Sequence, residues 1–114
     1  MANTGREEKI FGVVRALEPL LSARGIAINA AEAASTLGLS ERTLQRRLQQ
    51  AGTSFRRQVQ QAVFSHARTL LTDTDVKIEA IARQLGYSSA AHFADSFRRQ
   101  AGVTPGDFRA RARR

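Results

Sequence analysis

The amino-acid sequence predicts an all-α protein of about seven helices, arranged as two helix-turn-helix units joined by a long central helix. Three observations predict it. Apolar residues recur at i, i+3, i+4 and i+7 along most of the chain. A short helix, a glycine turn and a second helix follow one another twice, around Gly38 and Gly86. Between the two copies, Phe55, Val59, Ala62, Val63, Phe64, Ala67, Leu70 and Leu71 surround much of one helix, which must therefore be buried on several sides.

In chain order, residues 1–6 read as a disordered polar start. Val13, Val14, Leu17, Leu20 and Leu21, with Ile10, give a first helix from about Glu7 to Ser22. Glu7 and Glu8 in its first turn suit the helix dipole. Pro19 should kink or end it, with Arg24-Gly25 as the stop. Asn29 and Glu32 form a capping-box pattern for a second helix. Ser40 caps a third, about Glu41 to Gln50, with Leu44 and Leu48 inward. Thr53 or Ser54 starts the central helix, about 18 residues or roughly 27 Å at 1.5 Å per residue. Thr72-Asp73-Thr74-Asp75 is a turn and cap cluster. Ile78, Ile81, Ala82 and Leu85 form one face of a fifth helix, and a sixth begins near Ser89 with Phe93 and Phe97 four apart. Thr104-Pro105 starts the last, anchored by Phe108, with Pro105 at its first position. Arg109–Arg114 reads as a fraying tail. The subdomains expected are 7–53 and 73–110, connected by 54–72.

The two glycine turns form an approximate repeat. Ala34…Leu37-Gly38-Leu39-Ser40 matches Ala82…Leu85-Gly86-Tyr87-Ser88 at an offset of 48; Leu44 and Leu48 match Phe93 and Phe97 at 49; Ala51-Gly52 matches Ala101-Gly102 at 50. Each copy carries a small residue where helices cross, an aliphatic residue before the glycine, a serine cap and two core residues four apart.

Charge points to the partner. The 114 residues carry 18 Lys+Arg against 10 Asp+Glu, a formal +8, and Lys9 and Lys77 are the only lysines. Arginine offers a planar fork suited to phosphates and guanine edges. From Arg42 to Thr72 there is no acidic residue but there are six arginines, and from Arg98 onward six arginines face Asp107 alone. An acid-free stretch inside a folded domain suggests a polyanion. With no Cys, disulfides and thiolate metal sites are excluded. His66 and His92 lack a second ligand at metal spacing, so neither a metal nor a cofactor is expected. Asp73, Asp75, Glu79 and Asp95 form no evident acid–base pair, and no nucleophile elbow or phosphate loop occurs, so no enzyme is expected. The competing reading is a protein-interaction module on the same helices with weak non-specific nucleic-acid binding; a steep loss of DNA affinity with added salt, which marks phosphate neutralisation, separates the DNA-binding reading from it.

Ile81-Ala82, Gly86-Tyr87, Phe93, Phe97-Arg98-Arg99, Gly102, Thr104-Pro105 and Phe108-Arg109 together resemble the DNA-binding domain of AraC/XylS-type transcriptional regulators. The resemblance runs from about Glu7 to Arg109. It implies a homeodomain-like fold whose two recognition helices enter successive major-groove segments of double-stranded DNA. The implied base contacts are Arg42, Gln45 and Arg46 in the first unit and Ala90, Ala91 and His92 in the second. Phosphate contacts are expected from Ser40, Arg47, Ser54, Ser88, Ser89, Arg98 and Arg99. Asp95, at a position that often reads bases in the family, could accept from a cytosine amine but is repelled near phosphates, so the first unit should dominate base reading. The chain departs from the family at Val63, where Arg is usual, and at Lys77 and Ala80, where a capping pair is common. RNA polymerase and an effector-binding or dimerisation domain outside this chain are further expected partners. A cytoplasmic location, associated with the nucleoid when DNA is bound, is expected, with no membrane.

Overall fold

A computed structural model describes residues 4–114, with side chains from Phe11 onward. Its described elements are seven α-helices and a short 3-10 turn: α1 Thr4–Arg24, the turn Gly25–Ala27, α2 Ala30–Thr36, α3 Glu41–Gln50, α4 Phe55–Asp73, α5 Ile78–Gln84, α6 Ala90–Ala101 and α7 Pro105–Ala112. Helix α1 begins at Thr4, earlier than expected. Met1–Asn3 lie outside the described residues, as do the side chains of Glu7, Glu8 and Ile10. Pro19 neither ends α1 nor prevents another turn after it. Its ring is exposed, while Leu17 and Leu21 are buried on either side of it in sequence. One missing backbone donor costs less than abandoning those two core contacts.

The chain divides inside α4 into two compact units, one up to Ala62 and one from Val63. In the first unit α3 packs on α1 and α2. Leu17, Leu21, Leu44 and Leu48 are essentially solvent-free there. Each such side chain contributes about 1.5–3 kcal/mol relative to an exposed one. Small residues allow the approach: Ala33 and Ala34 of α2 are fully covered. The N-cap half of the capping box is present, with Glu32 N donating to Asn29 Oδ1 at 2.8 Å, and the Glu32 carboxylate accepts from the Asn29 side-chain Nδ2 at 2.9 Å.

The second unit is centred on aromatics. Phe93 and Phe97 are buried. Phe97 meets Phe64 at 5.1 Å and Phe108 edge-on at 5.4 Å between centroids, and Phe93 meets Tyr87 at 5.4 Å. Offset and edge-on pairs at this separation add stabilisation beyond burial. Val63 is a core residue at 2% exposure, so an arginine's charge has no place there. Lys77 precedes α5 without any side-chain cap, matching the departure noted in the sequence.

The expected frayed tail is corrected. Arg109 Nε donates to Leu71 O at 3.0 Å, and its Nη2 donates to Leu70 O and Thr74 O at 3.2 Å each. These carbonyls close the C-terminal end of α4, where a helix lacks intrahelical donors and favours a cation. Arg113 also donates to Thr74 O and pairs with Asp75 at 2.8 Å. Helix α7 is thereby pinned to the end of α4.

Both helix-turn-helix turns close in the same way. Leu37 and Leu85 end the first helices, Gly38 and Gly86 take φ +72° and +93°, and the next residue reaches back. Leu39 N donates to Ala34 O at 2.8 Å, and Tyr87 N donates to Ala82 O at 2.9 Å. This is the Schellman closure, which requires a left-handed residue at the glycine.

Stability measurements check these contacts. Arg109→Ala should cost about 2 kcal/mol, a Tm loss of about 10 °C by differential scanning calorimetry, because its three charged hydrogen bonds vanish together. Arg109→Lys should restore only part of it, since an ammonium cannot fork. Gly38→Ala, where an added Cβ meets nothing within 4 Å but φ is positive, should cost about 1 kcal/mol by denaturant titration. In contrast Gly12→Ala, equally unobstructed but within α1, should stabilise by about 0.5–1 kcal/mol in the same titration.

Candidate nucleic-acid interface

Helix α3 presents its polar face because Leu44 and Leu48 take the opposite one. Arg42, Gln45, Arg46 and Gln49 are all exposed. With Thr53 and Ser54 at the start of α4, and with Glu41, they line one open groove. Three of the expected base contacts therefore converge, and Ser54 joins them. Ser54 Oγ accepts from Arg57 N at 3.1 Å as the cap of α4, which leaves its proton for another acceptor.

Ser40 and Arg47 are not brought into that groove. Ser40 Oγ accepts from Thr43 N at 3.1 Å and donates to Thr43 Oγ1 at 2.9 Å, so its hydrogen bonds are committed to the cap. Arg47, half-buried, lies one residue round the helix from Arg46.

Helix α6 is capped by Ser89, whose Oγ accepts from His92 N at 3.1 Å. The 48-residue offset puts the cap at Ser88, and the structure corrects this. Ser88 is an added residue that makes the second turn one longer than the first, and its Oγ lies 2.8 Å from His92 Nδ1. Aligning the caps Ser40 and Ser89 shifts the pairing to 49. Arg42 then corresponds to Ala91, Thr43 to His92, Gln45 to Ala94 and Arg46 to Asp95. His92 thus stands where Thr43 stands, and both turn back to a serine before their helix. Ala90 is half-buried, while Ala91 and His92 are exposed.

The basic groups of α6 are unequal. Arg98 is exposed and forms no ion pair among the described residues, whereas Arg99 Nη2 holds Asp95 Oδ2 at 3.1 Å. Both partners of that pair are more than two-thirds exposed, so it contributes little to stability. Its effect is to neutralise the cation nearest the position of Asp95. A second groove, smaller than the first, runs between α5 and the start of α6, lined by Glu79, Arg83, Tyr87, Ser88 and Ser89 among others.

Some groove residues carry no sequence signal as base contacts. Thr53 adjoins Ser54 and Arg83 lies before the glycine turn, and neither belongs to a pattern of its own. Glu41 does carry a signal: it precedes Gln45 by four residues, the spacing of neighbours on one helix face. No described helix is long and apolar enough to cross a membrane.

A helix-turn-helix domain model matches residues 33–111. An HTH-type transcriptional regulator of Mycobacterium tuberculosis is 31% identical over 108 residues, covering 95% of this chain and 31% of the relative. The transcriptional activator CsvR of Escherichia coli is 35% identical over 75 residues, covering 66% of this chain and 28% of that protein. The chain thus spans under a third of the length of these relatives. Among solved structures, a Chromobacterium violaceum transcriptional regulator described as AraC-type superposes with TM-score 0.79 at 28% identity, covering 96% of both chains. The DNA-binding domain of the transcriptional factor AdpA, solved in complex with a target DNA, gives TM-score 0.73 at 27% identity, covering 92% of this chain and 95% of that one. Glycine-closed paired helices, a polar α3 face and these matches lead to one conclusion: the chain belongs to the AraC-type helix-turn-helix family of DNA-binding transcription regulators.

Proposed function

We propose that this chain binds double-stranded DNA sequence-specifically, as the DNA-reading part of an AraC-type regulator, and that α3 does most of the base reading. The observation that carries this is the α3 groove, where two arginines and a glutamine project beside the free hydroxyl of Ser54. Arginine pairs bidentately with guanine and glutamine with adenine, each discriminating by about 1–3 kcal/mol. Ser54 positions the backbone on this side, and Arg47, outside the groove, contacts phosphate. The relative solved with its target DNA supports the same use of the fold.

Helix α6 acts mainly as a clamp. Its base-facing positions offer Ala91 and Asp95 where α3 offers Arg42 and Arg46. An alanine methyl can touch a thymine methyl and little else. Arg98, with Ser88 and Ser89 at the helix start, grips phosphate, and Arg99 adds to it when Asp95 releases it. Ala90 and His92 approach the groove without dominating the readout. Each helix enters a major-groove segment, and successive segments on one face of B-DNA lie about 34 Å apart. RNA polymerase and an effector-binding or dimerisation domain complete the regulator, which works in the cytoplasm on nucleoid DNA.

Fluorescence titration against a selected operator tests the division of labour. Arg46→Ala should weaken specific binding by about 1–3 kcal/mol, roughly 5- to 150-fold, while Ala91→Ser and Asp95→Ala change it less than about threefold. Equal losses in the two units would overturn the asymmetry. Asp95→Asn frees Arg99 for phosphate, so non-specific affinity should rise and the slope of log K against log salt should steepen by about one. Weaker binding in that variant would show that α6 does not lie along the backbone.

A further inference from the structure

The α3 groove contains one group that a phosphate-binding surface should not need. Glu41, the first residue of α3, is exposed and lines the groove with Arg42, Gln45 and Arg46. A carboxylate there opposes polyanion binding. Neither arginine neutralises it: among the described residues the ion pairs are Arg24–Glu32, Arg99–Asp95 and Arg113–Asp75. Its partner is instead Gln45, whose Nε2 donates to Glu41 Oε1 at 3.4 Å.

In that contact the amide presents its NH2 end to the carboxylate. An ionised carboxylate only accepts, so the NH2 end of Gln45 turns toward Glu41 and its carbonyl oxygen turns away. Spacing at i, i+4 on one helix face keeps the two side chains adjacent. Resting on the DNA-binding reading above, we propose that Glu41 is a specificity-determining residue: with Gln45 it forms a paired acceptor that selects a base carrying an exocyclic amine, cytosine N4 or adenine N6, at one position of the operator.

The chemistry of the base edges makes this selective. In the major groove cytosine and adenine present an amine donor, whereas guanine O6 and N7 and thymine O4 are acceptors. Two acceptors facing a guanine or thymine edge would leave buried lone pairs opposed, so the wrong bases are rejected rather than the right one merely favoured. The carboxylate's repulsion from phosphate then lowers non-specific binding as well. Helix α6 has no equivalent, since Ala90 occupies the matching position after its cap.

The competing role for Glu41 is favourable interaction with the N-terminus of α3 alone. Selection of bound duplexes from a random pool distinguishes them, run with the native chain, Glu41→Gln, Glu41→Ala and Gln45→Ala, alongside thermal melts and a salt titration on non-specific duplex. The native chain should show one position where an amine-bearing base is preferred at least about tenfold. Glu41→Gln and Glu41→Ala should each reduce that preference below about threefold while leaving the arginine-read positions intact, with non-specific affinity unchanged or higher. The double variant Glu41→Ala/Gln45→Ala should lose no more selectivity at that position than either single variant, as expected of groups acting as a unit. Altered melting with an unchanged selection profile would overturn the proposal and leave Glu41 a helix-terminus residue. A flat profile for the native chain, beside an intact salt slope, would overturn sequence-specific reading as a whole.

Discussion

The hydrogen bond from the residue after each turn glycine to the small residue five before it sets everything else in place. Leu39 N to Ala34 O and Tyr87 N to Ala82 O each stop a helix and reverse its direction within a few residues. Closure demands positive φ at Gly38 and Gly86 and a buried alanine whose carbonyl accepts the bond. Once the turn is closed, the following serine caps the second helix, and residues four apart enter the core: Leu44 and Leu48, or Phe93 and Phe97. The outward face of α3 or α6 is then fixed by elimination. Arg42, Gln45 and Arg46 owe their common direction to turn and core residues on the other side of the helix.

The same frame carries different chemistry in its two copies. The first unit has an aliphatic core and a groove edged with arginine, glutamine and serine. The second has an aromatic core, an arginine fork at the end of α4 and an outward face of alanines and a paired aspartate. Cap alignment makes the contrast residue for residue, because Arg46 and Asp95 occupy one position. Repetition of the frame therefore does not repeat the chemistry of its outward face. Core and turn positions answer to packing in both copies, while the outward positions are free to differ.

Much of this is legible in the sequence because it rests on local rules. Helical spacing, the Asn29–Glu32 box, Ser40, Thr104-Pro105 and the glycine turns are all short-range signals, and the helices lie close to where those signals put them. Three features are not legible in that way. Pro19 lies within α1 because long-range burial of Leu17 and Leu21 outweighs one lost donor. Arg109 and Arg113 hold backbone carbonyls 35 or more residues away, and no local pattern reports such a contact. Ser88 resembles a cap because the 48-residue offset runs through it, and the step to 49 by Phe93 does not say which residue of the turn is the extra one. The grouping of Arg42, Gln45 and Arg46 is visible from spacing, but the participation of Thr53 is not. It depends on how the start of α4 returns beside α3.

Net charge is consequently a poor count of phosphate contacts in this chain. Of the six arginines from Arg98 onward, Arg109 and Arg113 close the end of α4 and Arg99 is paired with Asp95. Only part of the C-terminal charge remains for a polyanion. In the first unit Arg42 and Arg46 form no ion pair among the described residues although Glu41 lies in the same groove. The sequence places six arginines in each region. One set is partly consumed in holding a helix end, while in the other Arg42 and Arg46 line the α3 groove and Arg47 is half-buried. That difference in use, more than the total of +8, is the physical ground for assigning base reading to the first unit.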